Sequence, residues 1–433
     1  MPEPETNQPY TTHKPRLAMA LSILFAGLGQ LYNRRWGKGI LFIILMVSFI
    51  SVLGNFVGVG LWGIFTLGTL EGADHSIMLL IQGLMSLGII VVFGIFYIAN
   101  IVDAYREAEK IQEGFRIYTI KESFQNTYDK GFPYFLLAIP MVLMAFIVIL
   151  PLVFMVLLAF TDYSLYNAPP ANLLNWVGFE NFVDLVTVDI WQETLFSVLT
   201  WTIVWTFVAT TLQIALGLFL AVIINDPRIR FKRLIRTVFI LPWAVPAFVT
   251  ILIFAAMFND GFGAINRDIL IPFLGVEIPW QSDPFWTRTA LIMIQTWLGF
   301  PFVFALFTGV LQSVSKDWYE AADVDGASRF AKFRKITLPH VLFATAPLLI
   351  MQYAMNFNNF NIIYLFNEGG PPVRGQNAGG SDILISWVYS LTFETQNYNM
   401  AAAISLIIGL IICTVAFWQF RQSRSYKEEG KVF

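Results

Sequence analysis

The sequence has one cysteine, Cys413, and three scattered histidines, His13, His75 and His340. One thiol in an apolar run excludes an internal disulfide framework and a cysteine metal site. The histidines have no metal-ligand spacing. Charge is scarce too: 13% of residues are Asp, Glu, Lys or Arg, against about 25% in a soluble protein. No G-x-x-x-x-G-K-[ST] phosphate cradle, G-x-S-x-G elbow or H-E-x-x-H zinc pair occurs, and no repeat of 20–50 residues is visible. What is present is apolar. Of 433 residues, 57% are hydrophobic, and mean hydropathy is +0.64. A soluble fold of this size cannot hide that much apolar surface, so the chain belongs in a membrane.

A hydrocarbon core of about 30 Å requires about 20 apolar residues in helix. Eight stretches meet that: roughly 39–69, 77–101, 133–160, 196–224, 235–258, 289–313, 341–363 and 400–420. A shorter stretch, 17–31, is broken by Gly27 and Gly29 and reads as an interfacial or re-entrant segment. No small-residue cleavage pattern follows it, which argues against a signal peptide. Basic residues set the orientation. With both termini cytoplasmic, the inside segments carry 24 of the 27 Lys and Arg, leaving Arg267, Arg288 and Arg374 outside. The expected organisation is a cytoplasmic N-terminus over 1–38, accessory spans and a linker over 39–131, a third span and short external loop over 132–195, a core of five spans over 196–420 and a cytoplasmic tail over 421–433. No span holds an ionisable side chain near its centre. Gradient-driven transporters usually keep such a group for the coupling ion, so energy is expected from another polypeptide.

The inside segment 314–340 predicts a short helix from Lys316 to Val324, a turn at Gly326, and a second helix over about 328–336 ending near Pro339. On span 289–313, Gln295, Leu298, Gly299 and Phe302 fall at i, i+3, i+4 and i+7, one helical face. On span 341–363, Gln352, Met355, Asn356 and Asn359 repeat that spacing. Amides that donate and accept suit sugar hydroxyls, aromatic rings suit pyranose faces, and Gly299 leaves room beside the backbone. The same residue types also serve as interhelical glue and packing contacts. Asn358 and Asn361 are expected to face away from Asn356, toward packing or a partner. Pro242 and Pro246 interrupt the fifth span, as a kink or as a gate.

Segment 314–340 resembles the E-A-A loop of binding-protein-dependent ABC importer permeases. The matching positions are Glu320, Ala321, Ala322, Asp325, Gly326, Ala327, Phe333, Ile336, Leu338 and Pro339. The order I-L-P-W-A-V-P-A-F (240–248), F-N-D-G-F-G-A-I-N (258–266), W-L-G-F-P (297–301), N-F-N-N-F (356–360) and N-E-G-G-P (367–371) is similar to the MalF-type permease of maltose/maltodextrin importers. The likeness runs from about 196 to 420 and departs from the enterobacterial form in the short segment 161–195, where that form carries a large folded insert.

The resemblance implies an all-α polytopic membrane protein with eight transmembrane helices, the type I ABC importer permease fold, and a cytoplasmic coupling helix-turn-helix. It implies that Glu320, Ala321, Ala322, Asp325, Gly326 and Ala327 couple to an ATPase, with Glu320 and Gly326 central. It implies a sugar pocket of Gln295, Leu298, Gly299, Phe302, Gln352, Met355, Asn356 and Asn359. Four of these, Gln295, Phe302, Gln352 and Met355, differ from the enterobacterial residue types. The implied partners are a second homologous permease (MalG-type), two copies of a cytoplasmic ABC ATPase that binds ATP and Mg, an extracytoplasmic sugar-binding protein and membrane lipid. No nucleic acid is expected, and the chain itself is expected to hold no cofactor or metal and to catalyse nothing covalent. The expected location is the bacterial cell membrane. A permease for another sugar, such as a galacto-oligosaccharide, and a stand-alone secondary carrier are the alternative readings.

Overall fold

The computed structural model describes residues 13–115, 120–226 and 228–422. The expected tail 421–433 therefore lies outside the described residues beyond Gln422. Among the described residues the regular structure is helical, with β-pairing limited to three isolated bridges. The chain divides into two compact units, residues 1–178 and 179–433.

In the first unit, three helices are long and apolar enough to span: α3 (Trp36–Thr66), α4 (Ser76–Gln112) and α5 (Gly131–Leu158). The shorter segment 17–31 becomes two short helices, α1 (Pro15–Leu24) and α2 (Leu28–Tyr32). Gly27, at φ +94°, makes the turn between them. Side chains fasten them to α4. Gln30 Nε2 donates to the Asn100 carbonyl at 2.9 Å and to Asp103 Oδ2 at 3.0 Å, and Asn33 Nδ2 donates to the Ala104 carbonyl at 2.8 Å. Arg35 pairs with Glu107 at 3.1 Å, and Lys38 with Asp103. Gly29 lets the backbones close: a Cβ there would lie 2.2 Å from the Ala18 carbonyl oxygen.

The second unit carries α6 (Glu180–Thr187), α7 (Asp189–Asn225), α8 (Lys232–Ala244) and α9 (Ala247–Met257). It continues with α10 (Pro284–Leu311), α11 (Lys316–Val324), α12 (Arg329–Lys332), α13 (Leu338–Phe357), α14 (Phe360–Asn367), α15 (Leu384–Phe393) and α16 (Tyr398–Gln422). Helices α8 and α9 meet at 85° and form one bent span. The bend has a local cause: Pro246 pushes Val245 into extended backbone, at ψ 132°. With that pair the apolar spans number up to eight. Helix α10 starts where Asp283 caps it, accepting from the Phe285 and Trp286 amides, with Pro284 at the first turn.

Helices α7 and α10 pack along much of their lengths, and two apolar clusters form around them. One gathers Trp201, Trp205 and Ala209 of α7, Leu291 and Ile294 of α10, and Ile362, Ile363 and Phe366 of α14. The other gathers Ala221 and Ile224 of α7, Phe300, Val303, Phe304 and Phe307 of α10, and Val341 and Leu349 of α13. Between them along α7 and α10 lies a layer of amides.

Candidate translocation site and coupling loop

That layer begins with a break in a helix. Helix α13 stops at Phe357, and Asn358 (φ −109°, ψ 25°) and Asn359 (φ −81°, ψ 72°) leave the helical path before α14 starts at Phe360. A broken helix frees backbone polar groups, which is tolerated at membrane depth only beside protein or a cavity. Here both are present. Trp205 Nε1 donates to the Asn356 carbonyl at 2.9 Å. Beside the break lies a cavity of about 560 Å³, lined among others by Gln295, Gln352, Met355, Asn356, Asn359 and Phe360.

The amides at this break are bonded to one another. Gln295 Nε2 donates to Asn356 Oδ1 at 2.8 Å, and Asn359 Nδ2 donates to Gln295 Oε1 at 3.1 Å. Asn356 Nδ2 donates to Thr210 Oγ1 at 2.8 Å. Gln213 joins the set, donating to Gln352 Oε1 at 3.3 Å and accepting from Gln295 Nε2 at 3.5 Å. Gln213, Gln295 and Asn356 are buried, while Gln352 and Asn359 are half-buried at the cavity wall. Buried polar groups are costly unless bonded. The side-chain amides of Gln213, Gln295, Asn356 and Asn359 each donate within the set.

The structure thus brings five of the eight expected pocket residues to one wall: Gln295, Gln352, Met355, Asn356 and Asn359. The other three sit elsewhere. Leu298 packs against the cluster around Trp205. Phe302 meets Trp243 edge-on at 6.0 Å. The space above Gly299 holds the Gln213 amide, so that a Cβ at Gly299 would lie 1.8 Å from Gln213 Oε1. Asn358 and Asn361, expected on the far face, line the same cavity. The expectation used a helical period through 356–361, and the break at Asn358 removes that period. Gln213 and Thr210 went unnoticed in the sequence. A glutamine in the middle of the apolar run 196–224 was the available signal.

The six expected coupling residues fall in one exposed helix-turn-helix. Ser315 caps α11 by accepting from the Asp317 amide. At the other end Gly326 takes φ +72°. The Ala327 amide donates to the Ala322 carbonyl at 2.9 Å and the Gly326 amide to the Asp323 carbonyl at 3.1 Å. These two bonds are the Schellman closure of a helix C-terminus, which needs a left-handed residue where Gly326 stands. Ser328 then caps α12, accepting from the Ala331 amide at 3.2 Å. Lys332 Nζ meets Asp323 Oδ1 at 2.5 Å and joins α12 to α11, and Tyr319 Oη bonds to Thr337 Oγ1 at 2.8 Å and ties α11 to the base of α13. Glu320, Ala321, Asp325 and Gly326 are exposed, and Ala322 and Ala327 half-buried. Beside them Trp318, Val324 and Phe330 leave 51%, 89% and 69% of their surface open. Among the described residues no cluster of three or more His, Cys, Asp or Glu is placed to hold a metal.

A polytopic helical protein with a polar cavity at a broken span and an exposed helix-turn-helix has the build of a membrane transport subunit. The family model for the binding-protein-dependent transport system inner membrane component matches residues 213–426. The galactooligosaccharides transport system permease protein GanP of Bacillus subtilis (strain 168) is 51% identical over 417 residues, 96% of this chain and 99% of that one. The maltodextrin transport system permease protein MdxF of the same organism is 44% identical over 433 residues, 98% of this chain and 99% of that one. The maltose/maltodextrin transport system permease protein MalF of Escherichia coli (strain K12) is 38% identical over 252 residues, 57% of this chain and 49% of that one. A solved bacterial ABC transporter involved in the import of the acidic polysaccharide alginate has a chain that superposes with TM-score 0.56 at 18% identity, covering 70% of this chain and 100% of that one. That likeness carries the fold.

The chain therefore belongs to the family of binding-protein-dependent transport system inner membrane components. Within it the chain is a MalF-type permease subunit, a multi-span protein of the inner membrane. Hydrolysis of ATP is the work of separate subunits of such importers.

Proposed function

We propose that this chain forms half of the translocation path of an ATP-driven importer for neutral oligosaccharides, maltose and maltodextrins first. The observation that carries this reading is the amide layer held between two apolar clusters and opening on the 560 Å³ cavity. Side-chain amides donate and accept in equal measure, as sugar hydroxyls do. Each of the mutual bonds from Gln295, Asn356 and Asn359 has a hydroxyl equivalent, so solute replaces bonds instead of stripping them. The lining residues are uncharged, which suits a neutral solute and disfavours an anionic one. The volume lies in the range of about 300–1,000 Å³ usual for small-molecule sites. Gly299 acts behind this wall, leaving the space that the Gln213 amide fills.

In the proposed assembly a second, MalG-type permease supplies the other half of the path. Two copies of a cytoplasmic ATPase, which bind ATP and Mg, dock on the helix-turn-helix around Glu320, Ala321, Ala322, Asp325, Gly326 and Ala327, against exposed Trp318, Val324 and Phe330. An extracytoplasmic binding protein delivers sugar to the opposite face. Both termini are cytoplasmic, by the distribution of basic residues. A galacto-oligosaccharide is the second reading, favoured by the 51% identity to a permease for that class. The deciding experiment loads membrane vesicles bearing the complete importer with ATP and presents labelled α-glucan and β-galactan oligosaccharides. Uptake of one series, lost on Asn356→Ala with the complex still assembled, supports the reading. Unchanged uptake by Asn356→Ala removes the cavity from it.

A further inference from the structure

The cavity does not end at its amides. Phe360, on its wall, is the first of four aromatic rings in contact. It stacks on Tyr364 one helical turn along α14, with centroids 5.0 Å apart and planes within 20°. Tyr389 of α15 closes on both, at 4.7 Å from Phe360 and 4.8 Å from Tyr364. Phe393 follows Tyr389 at 4.8 Å. Helix α14 leads from the break at Asn358 to the face opposite the coupling helix-turn-helix. The ladder therefore starts at the cavity and ends at that face, where Phe393 is 68% exposed. Phe360, Tyr364 and Tyr389 are each half-buried, with ring surface left open.

We infer that the Phe360–Tyr364–Tyr389–Phe393 ladder is a second saccharide subsite, which holds the trailing sugar rings of an oligosaccharide whose leading ring occupies the amide cavity. The inference rests on the proposed sugar path and adds a length preference to it. A pyranose presents C–H groups on its faces and hydroxyls at its rim. An aromatic face carries the negative end of a quadrupole and accepts such C–H faces. The two phenol hydroxyls, midway along the ladder, suit the rim. Lipid chains need apolar surface alone and explain neither the continuity with the cavity nor the phenols.

The test is uptake by the complete importer in proteoliposomes at saturating binding protein, comparing a disaccharide with a hexasaccharide of the transported series. Phe393→Ala, an exposed position that leaves folding intact, and Tyr389→Ala are the variants, with Tyr389→Phe as the conservative control. The expected result is a fall of about fivefold in maximal hexasaccharide uptake, the scale of one lost ring contact. Disaccharide uptake stays within about twofold, and Tyr389→Phe keeps most of the hexasaccharide rate. Equal losses for both sugars, with less partner permease co-purifying, would make the ladder a subunit contact and overturn the inference. So would no loss for either sugar. Asn356→Ala, run in parallel, separates the two readings: loss of both sugars there with silent ladder variants keeps the cavity and removes the ladder.

Discussion

At the scale of single residues, two positions explain more than their types announce. Gly299 reads in sequence as room for a ligand, but its free face holds the Gln213 amide. The partner stands 86 residues away, on another helix, so no local pattern could reveal it. Gly299→Ala displaces Gln213 and with it the bonds to Gln295 and Gln352. Because the displaced atoms are the end of a side chain, the expected outcome is a chain that inserts normally and transports about tenfold less sugar, the scale of one or two buried hydrogen bonds. Adding Gln213→Ala removes the clash, so the double variant should be no worse than Gln213→Ala alone, as vesicle uptake would show. Asp382, in the loop between α14 and α15, is 5% exposed. Burial pushes its carboxyl up to about 6, against the bonds from Ser386 and the Gly379 amide, and the charge of Glu394 adds to the rise. A raised acid binds more protons folded than unfolded, so its stabilising share is complete below the unfolded value near 4 and is lost as pH rises through 6. Thermal melts of the wild type should fall by roughly 2–4 °C more between pH 4.5 and 7.5 than those of Asp382→Asn. Parallel pH curves would show that Asp382 does not titrate in this range.

At the scale of elements, the legible parts are those whose cause is local. The turn at Gly326 and its flanking helices follow from good helix formers, two serine caps and one glycine, and the structure shows the helix-turn-helix with φ +72° at that glycine. The bend between α8 and α9 was visible as Pro242 and Pro246. The break at Asn358 was hidden, because N-F-N-N-F contains no proline or glycine and reads as continuous helix. What holds it open is tertiary: the Trp205 indole, the Gln295 amide and the Thr210 hydroxyl, all distant in sequence. The same reasoning ranks substitutions at Gly326. A Cβ there meets nothing within 4 Å, so Gly326→Ala costs only the left-handed backbone, about 1–2 kcal/mol, and uptake should fall modestly. Gly326→Pro fixes φ near −65° and deletes the amide that reaches Asp323. It should abolish uptake while inserted protein, measured in washed membranes, stays at wild-type level. Normal transport by Gly326→Pro would mean that this turn transmits nothing.

At the scale of the whole molecule, the question is where work enters. The eight spans were legible because about 20 apolar residues in a row have few other fates. The segment 17–31 resisted because Gln30 and Asn33 find their partners at Asn100, Asp103 and Ala104, some seventy residues on. Those contacts also dispose of charge: Asp103 and Glu107, near the end of α4, are paired with Lys38 and Arg35. In the second unit the polar part of the cavity wall is made of the amides of Gln295, Gln352, Asn356, Asn358, Asn359 and Asn361, which do not titrate. In the proposed assembly, force delivered to the helix-turn-helix would pass through Tyr319–Thr337 into α13, whose far end is the break at Asn358. One helix, α13, thus runs from the helix-turn-helix to the amide-lined cavity. The purified chain alone in liposomes should pass no labelled oligosaccharide under any imposed proton or sodium gradient. The complete importer should do so only while ATP is hydrolysed. Uptake by the lone chain along either gradient would place the driving chemistry inside this polypeptide and leave the α13 linkage without a task.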